Sequence, residues 1–320
     1  MRFVLALGGA VFSASNTGVL AYSQGLGLAP TRRTWFDGAG RPLAAVDLAV
    51  GVLQPRLSRD GSRLVQAQLT PGWLSNIWTV DLARGSNHKV TSAPSEDESP
   101  IWSPDGAHIV YASNKNGVAD LYRIAVSGVA GDDSLYQSNH DKRPADWSTD
   151  GRLVAFVESD PQTRTDVWVL DLHSERKPMP GVNTPAVEDQ PRFSPDRKWI
   201  AYCSNRTGRR EIYVQPLPSG EPVMVSVNGG SEPFWRHDGR GLFFVSPEYW
   251  VMAVGVKAGG KFDAGLPTRL FELPKSNCAV GQGCRAVDVT RDGRFLVSTF
   301  DYLPTAPMRV ITNWRSILNK

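Results

Sequence analysis

Apolar residues in this chain fall in short alternating runs, broken again and again by Gly, Pro, Asp and Asn. The stretch from Pro100 shows the grammar. Pro100-Ile101-Trp102-Ser103 reads as a short strand led by a residue that cannot donate to a ladder. Pro104-Asp105-Gly106 supplies a turn, because Pro presets φ, Asp bonds its own backbone and Gly accepts positive φ. His108–Ser113 alternates, with Ile109 and Tyr111 on one face and Val110 on the other. Asn114-Lys115-Asn116-Gly117 makes a hairpin connection. Asp120–Val126 is a third strand, and a fourth is weakly signalled near Leu135.

The turn recurs. Its copies are Ser15-Asn16-Thr17-Gly18, Ser58-Arg59-Asp60-Gly61, Ser103-Pro104-Asp105-Gly106, Ser148-Thr149-Asp150-Gly151, Ser194-Pro195-Asp196-Arg197, Arg236-His237-Asp238-Gly239 and Thr290-Arg291-Asp292-Gly293. Their fourth positions are spaced by 43, 45, 45, 46, 42 and 54 residues. Four short strands at such a period mark propeller blades. The pattern predicts an all-β, seven-bladed propeller of four-stranded antiparallel blades, a single domain over residues 1–320. Six blades with one distorted copy is the alternative. The last unit offers Arg285–Thr290, Arg294–Phe300 and Met308–Trp314, so the N-terminal strand Arg2–Leu7 is expected to pair with it and close the ring. Arg197 stands where the other copies have Gly and is expected in a left-handed conformation. Trp102, Trp147 and Trp235 recur at one blade position, which argues for packing between sheets rather than ligand stacking.

Length alone, at 320 residues, suggests two domains, but the repeat overrides it. Thirty Gly and 23 Pro suit many tight turns. A net charge of +3 without a dense basic run argues against nucleic-acid binding; Lys142-Arg143 and Arg209-Arg210 are isolated pairs. No apolar run reaches the ~18 residues of a membrane span. Residues 1–15 read either as a secretory signal or as two strands, Arg2–Leu7 and Ala10–Ser15. Cys278 and Cys284 share a loop and either pair or stay free, while Cys203 reads as a buried small hydrophobe.

Candidate chemistry is thin. There is no nucleophile elbow, phosphate-binding loop or kinase signature. The histidines at 88, 108, 140, 173 and 237 lack metal-type spacing, and His237, in a turn, reads as solvated. No catalytic residue, metal ligand or cofactor is assigned. One constellation is positional: Asp97, Glu98, Asp141, Arg143, Glu188, Asp189 and Glu232 precede the first strand of successive units. If first strands are innermost, these residues meet at one channel mouth, where carboxylates can hold a cation or a basic peptide. Solvated loop acids are the plainer account. The expected role is that of a non-catalytic, monomeric ring that binds protein; a propeller lyase, cyclase or hydrolase with a composite channel site is the alternative.

Pro-x-Trp-Ser-Pro-Asp-Gly followed by an apolar strand with Tyr or Phe and then Asp-Leu-Tyr resembles the TolB-like propeller repeat, best at Glu98–Ile124 and Asp189–Val214. Gly18-Val19-Leu20-Ala21-Tyr22 with Thr34-Trp35-Phe36-Asp37, Trp235-Arg236-His237-Asp238-Gly239 with Met252-Ala253-Val254, and Asn313-Trp314 resemble the propeller C-terminal to bacterial Ser/Thr kinases. The chain departs from that pattern in carrying no kinase signature of its own. The resemblance implies a protein-binding or sensing module in a periplasmic or otherwise extracytoplasmic setting.

Overall fold

The structure is a computed structural model that describes residues 4–6, 10–14, 19–24, 31–47, 52–70, 74–127, 131–161, 164–257, 261–274, 287–300 and 309–312. Among them, every regular element is a strand, and no helix is long and apolar enough to cross a membrane.

In its four described Ser copies the recurring turn builds the blade's first hairpin through one hydrogen-bond set. In the copy at Ser58, Oγ donates to Asp60 Oδ1 at 2.5 Å and accepts from Arg63 N at 2.9 Å. Gly61 N donates to Ser58 O at 2.8 Å with φ of 71°. The Ser103, Ser148 and Ser194 copies repeat these bonds. Arg197 does adopt the left-handed conformation, with φ of 64°.

Four blades follow directly along the chain. Blade 1 holds Val52–Leu57, Arg63–Leu69, Ser75–Asp81 and Asn87–Lys89; blade 2 holds Asp97–Trp102, His108–Ser113, Asp120–Ala125 and Asp132–Tyr136. Blade 3 holds Asp141–Trp147, Leu153–Asp160, Arg164–Asp171 and Pro178–Val182; blade 4 holds Glu188–Phe193, Trp199–Ser204, Glu211–Pro216 and Val223–Met224. In blade 5, Ser231–Trp235, Gly241–Val245 and Trp250–Lys257 are joined by both Asp263–Ala264 and Thr268–Glu272.

Blade 6 is composite and corrects two expectations. Val287–Val289 and Phe295–Phe300 come from the C-terminal region, and Thr31–Phe36 and Pro42–Asp47 from the N-terminal region. The innermost strands of blades 1 to 6 contact one another in order, and that of blade 6 meets that of blade 1. Six apolar clusters fill the six blade interfaces, ending with Trp35 and Leu296 of blade 6 against Leu64 and Val80 of blade 1. The ring therefore has six blades, not seven. The expected closing strand does not join it: Val4–Ala6, Ala10–Ala14 and Val19–Gln24 form a separate sheet with Arg309–Thr312. Two strands from each terminal region complete the sixth blade, and the turn copy at 15–18 lies outside the described residues.

Trp102 and Trp235 are buried in inter-blade clusters, as expected for packing residues, and Trp147 packs half-buried against another. Cys203 is buried in the second strand of blade 4. Cys278 and Cys284 lie outside the described residues.

Candidate binding site in the central channel

The first strand of each blade lines the channel, so its start and end face opposite mouths. The starts, just before the first-strand prolines, surround a cavity of about 420 Å³ lined by Gln54, Ser99, Arg143, Gln190 and Glu232 among others. The ends, at the Ser-x-Asp-Gly turns, surround one of about 200 Å³. Arg56 and Ala145 line both.

At the proline-side mouth a bulge interrupts the pairing of first and second strands in blades 1 to 5. In four of these blades the residue before Pro is left-handed without being Gly: Gln54, Ser99, Gln190 and Glu232 have φ of 48°, 53°, 56° and 55°. Each such residue costs about 1–2 kcal/mol. Bonds between neighbouring blades hold the geometry. Gln54 Oε1 accepts from Ser99 N at 2.6 Å, and Gln190 Oε1 accepts from Glu232 N at 2.7 Å.

Of the seven residues expected at this mouth, four line the cavity: Glu98, Arg143, Asp189 and Glu232. Their charges are largely matched. Arg143 Nε donates to Glu98 Oε1 at 2.8 Å, and Arg210 Nη2 meets both Asp189 oxygens at 2.5 and 2.7 Å. Burial pushes the Asp189 carboxyl up in spite of that partner. The other three lie elsewhere. Asp97 is buried within blade 2, where its Oδ1 accepts from Ser113 Oγ at 2.6 Å and Ser95 Oγ at 2.8 Å. Glu188 does the same in blade 4, accepting from Thr184 Oγ1 at 2.6 Å and Ser204 Oγ at 3.0 Å. Asp141 is exposed and accepts from Ala119 N at 3.0 Å. Strand alternation turns the first residue of each run into its blade, which is why Asp97 and Glu188 are absent from the lumen.

Deeper in the channel lies a layer that the sequence reading passed over. The position two residues before the first residue of the turn carries Arg56, Ile101, Asp146, Arg192, Phe234 and Asp288 in blades 1 to 6. The order Arg, apolar, Asp occurs twice, half a ring apart. Three inter-blade hydrogen bonds repeat with the same relation. Leu57 N donates to Asp288 Oδ2 at 2.9 Å, and Phe193 N to Asp146 Oδ2 at 2.8 Å. Trp102 Nε1 donates to Arg56 O, and Trp235 Nε1 to Arg192 O, both at 3.1 Å. The Gln54 and Gln190 bonds above are the third pair. The inner ring is thus a three-blade unit used twice. Aligning the chain on its turn motif would have revealed the layer, since four of the six residues in that column are charged.

The layer is electrostatically constrained. Arg56 Nη2 donates to Ala145 O at 2.7 Å, and Arg192 Nη1 reaches the same carbonyl. Burial lowers the Arg56 guanidinium to about 10, opposed by Asp288, Asp146 and Glu232. Burial also raises Asp146 to about 7, against the pull of Arg56 and of the Phe193 backbone bond. Asp146 is enclosed by the ring, yet lumen water reaches 28% of its side chain, and this tempers the penalty. Asp288 is raised for the same reason.

A protein-family profile described as TolB beta propeller domain matches residues 44–179. An uncharacterized protein of Agrobacterium fabrum is 26% identical over 140 residues, covering 40% of this chain and 46% of that protein. The Tol-Pal system protein TolB of Francisella tularensis subsp. holarctica is 26% identical over 201 residues, covering 62% and 45%. The chain thus spans less than half the length of these curated relatives. Among solved structures, a chain assigned as TolB from Agrobacterium tumefaciens superposes with TM-score 0.67 at 18% identity, over 86% of this chain and 99% of that one. An oligogalacturonate lyase in complex with manganese gives TM-score 0.56 at 14% identity, over 96% and 82%. A kinase-linked propeller as the nearest kin finds no support in these matches. Over residues 44–179 the chain is similar in sequence to the TolB beta propeller domain, and over most of its length it shares the propeller fold.

Proposed function

We propose that this propeller is a non-catalytic binding module whose ligand is an extended segment of another protein, seated at the proline-side mouth in an extracytoplasmic compartment. The observation that carries this reading is the preorganised collar of four left-handed residues, Gln54, Ser99, Gln190 and Glu232, around one cavity. Strain held by inter-blade bonds fixes the mouth before a ligand arrives and lowers the ordering cost of binding. The TolB relatives favour a protein partner and a periplasmic setting. Glu98, Asp189 and Glu232 are the acids available to a basic segment; Arg143 and Arg210 are the counter-ions it would displace or share. A single copy of the ring suffices for such a site.

The test is recovery of the partner by crosslinking and mass spectrometry from envelope extracts, then titration with the charge reversals Glu98→Lys and Asp189→Lys. The reading expects at least a tenfold loss of affinity in the double variant; unchanged affinity would remove the mouth from the interface. The lyase-like fold neighbours support a second reading, a channel enzyme, and bound metal in the purified protein together with turnover of a uronate polymer would favour it.

A further inference from the structure

We propose that the turn-side mouth binds a small oxyanion, carrying carboxylate or phosphate groups, between Arg59, His237 and Arg291. The site is separate from the proline-side mouth and does not depend on the protein-binding reading.

The second position of the turn motif lines this cavity in blades 1 to 5, and Arg291 holds the equivalent place at the rim in blade 6. Blades 1 to 6 carry Arg59, Pro104, Thr149, Pro195, His237 and Arg291 there. The charged layer beneath repeats every half ring and holds two arginines, Arg56 and Arg192, with two carboxyls, Asp146 and Asp288. The mouth breaks that symmetry. Three basic residues fall on consecutive blades 5, 6 and 1, and three neutral ones on blades 2, 3 and 4.

These basic groups lack anionic partners. Arg59 Nη1 donates across the mouth to Thr149 O at 3.2 Å, a neutral acceptor. Among the described residues, His237 and Arg291 have no hydrogen-bonded or ion-paired side-chain partner. They are close enough to repel. Burial lowers His237 first, and Arg291 and Arg59 lower it further, while Asp288 and Asp238 pull the other way. Arg291 likewise lowers Arg59 after burial does. One further observation points to a ligand. Arg192, only 5% exposed and part of the same cavity, has Nη2 without a partner. An oxyanion seated among these groups would supply acceptors for forked Arg donors and relieve the repulsion. The cavity, about 200 Å³, has room for a small anion and several waters.

The probes are inorganic phosphate and tricarballylate, titrated separately by calorimetry at low ionic strength, so that phosphate and carboxylate sources are told apart. Saturable binding of at least one probe is expected, tighter at pH 6 than at pH 8. The His237 ring resonances should show a raised pKa when the probe is present. Arg59→Gln with Arg291→Gln should weaken binding at least tenfold, and the Lys pair at these positions should keep most of it. Both side chains reach solvent, and unchanged thermal unfolding verifies the fold. No saturable binding of either probe, or equal affinity in the Gln pair, overturns the proposal. Glu98→Lys with Asp189→Lys at the other mouth should leave probe affinity within about twofold, so the two readings fail independently.

Discussion

Lys142 shows what one buried charge does for a blade. Its side chain is fully buried, and Nζ donates to Asp120 Oδ1 at 2.7 Å, to Ser138 O at 3.4 Å and to His140 O. Three donors meet three acceptors, so the ammonium is satisfied without water. In the sequence it reads as half of an isolated basic pair with Arg143; only Arg143 is at the surface. Lys142→Met leaves Asp120 buried without its cation and is expected to cost about 3–5 kcal/mol in urea unfolding. Adding Asp120→Leu should recover much of the loss. Asp146 carries a pH signature. Its carboxyl is raised in the folded ring to about 7, above the unfolded value near 3.8. The folded state therefore holds this proton more tightly, so its contribution is full below pH ~4 and lost as pH rises through 7. Asp146→Asn, which keeps an acceptor for Phe193 N, should flatten the stability profile across that window; an identical profile would show that the carboxyl titrates normally. Arg197 sits left-handed at a cost of about 1–2 kcal/mol but pairs with Asp150 across blades. An exposed pair of this kind contributes about 0.2–1 kcal/mol, so Arg197→Gly should raise stability by up to about 1 kcal/mol in thermal unfolding.

A blade survives as an element because its neighbours cover it. Trp102 ends the first strand of blade 2 and packs against Ala67, Ile77 and Val90 of blade 1. Its indole also donates to Arg56 O. Trp102→Ala removes both, and about 3–5 kcal/mol of stability is expected to go with them. Gly40, at φ of 78°, holds the turn between the outer strands of blade 6. A Cβ there would lie 2.2 Å from Phe271 Cβ of blade 5. Gly40→Ala should therefore destabilise the interface between blades 5 and 6, where Phe36, Phe271 and Phe295 pack at 5.9 and 5.1 Å between centroids. These elements were legible in the sequence. The strand positions in blades 1 to 5 and the packing role of the tryptophans follow from alternation and turn chemistry, which act within a few residues. The lumen layer was not legible. Arg56 and Asp146 lie on different blades and meet only because the ring curves.

At the scale of the whole molecule the decisive feature is closure. Thr31–Phe36 pairs with Phe295–Phe300 over 265 residues of chain, from Arg33 to Ser298, and joins both ends of the polypeptide in one sheet. Such a junction removes two open edges and makes unfolding cooperative. Deleting residues 1–24 is expected to leave a single sharp unfolding transition. Deleting 1–47 removes half of blade 6 and should yield a broadened transition and aggregation. An equally sharp transition in the longer deletion would mean that the ring does not rely on this junction.

The amino-acid order alone determined the strands, the turns and the propeller class, because hydrophobic alternation and Asp-Gly turn chemistry are local. It placed Glu98, Arg143, Asp189 and Glu232 at a common mouth, because repeats occupy equivalent positions. Tertiary structure decided the number of blades, the identity of the closing strands and the pairing of the mouth acids with arginines. It also brought Arg59, His237 and Arg291 together at the opposite end. Those outcomes turn on which distant segments share a sheet or a rim, and long-range pairing is settled by the geometry of closing the ring, which leaves no periodic mark on the chain.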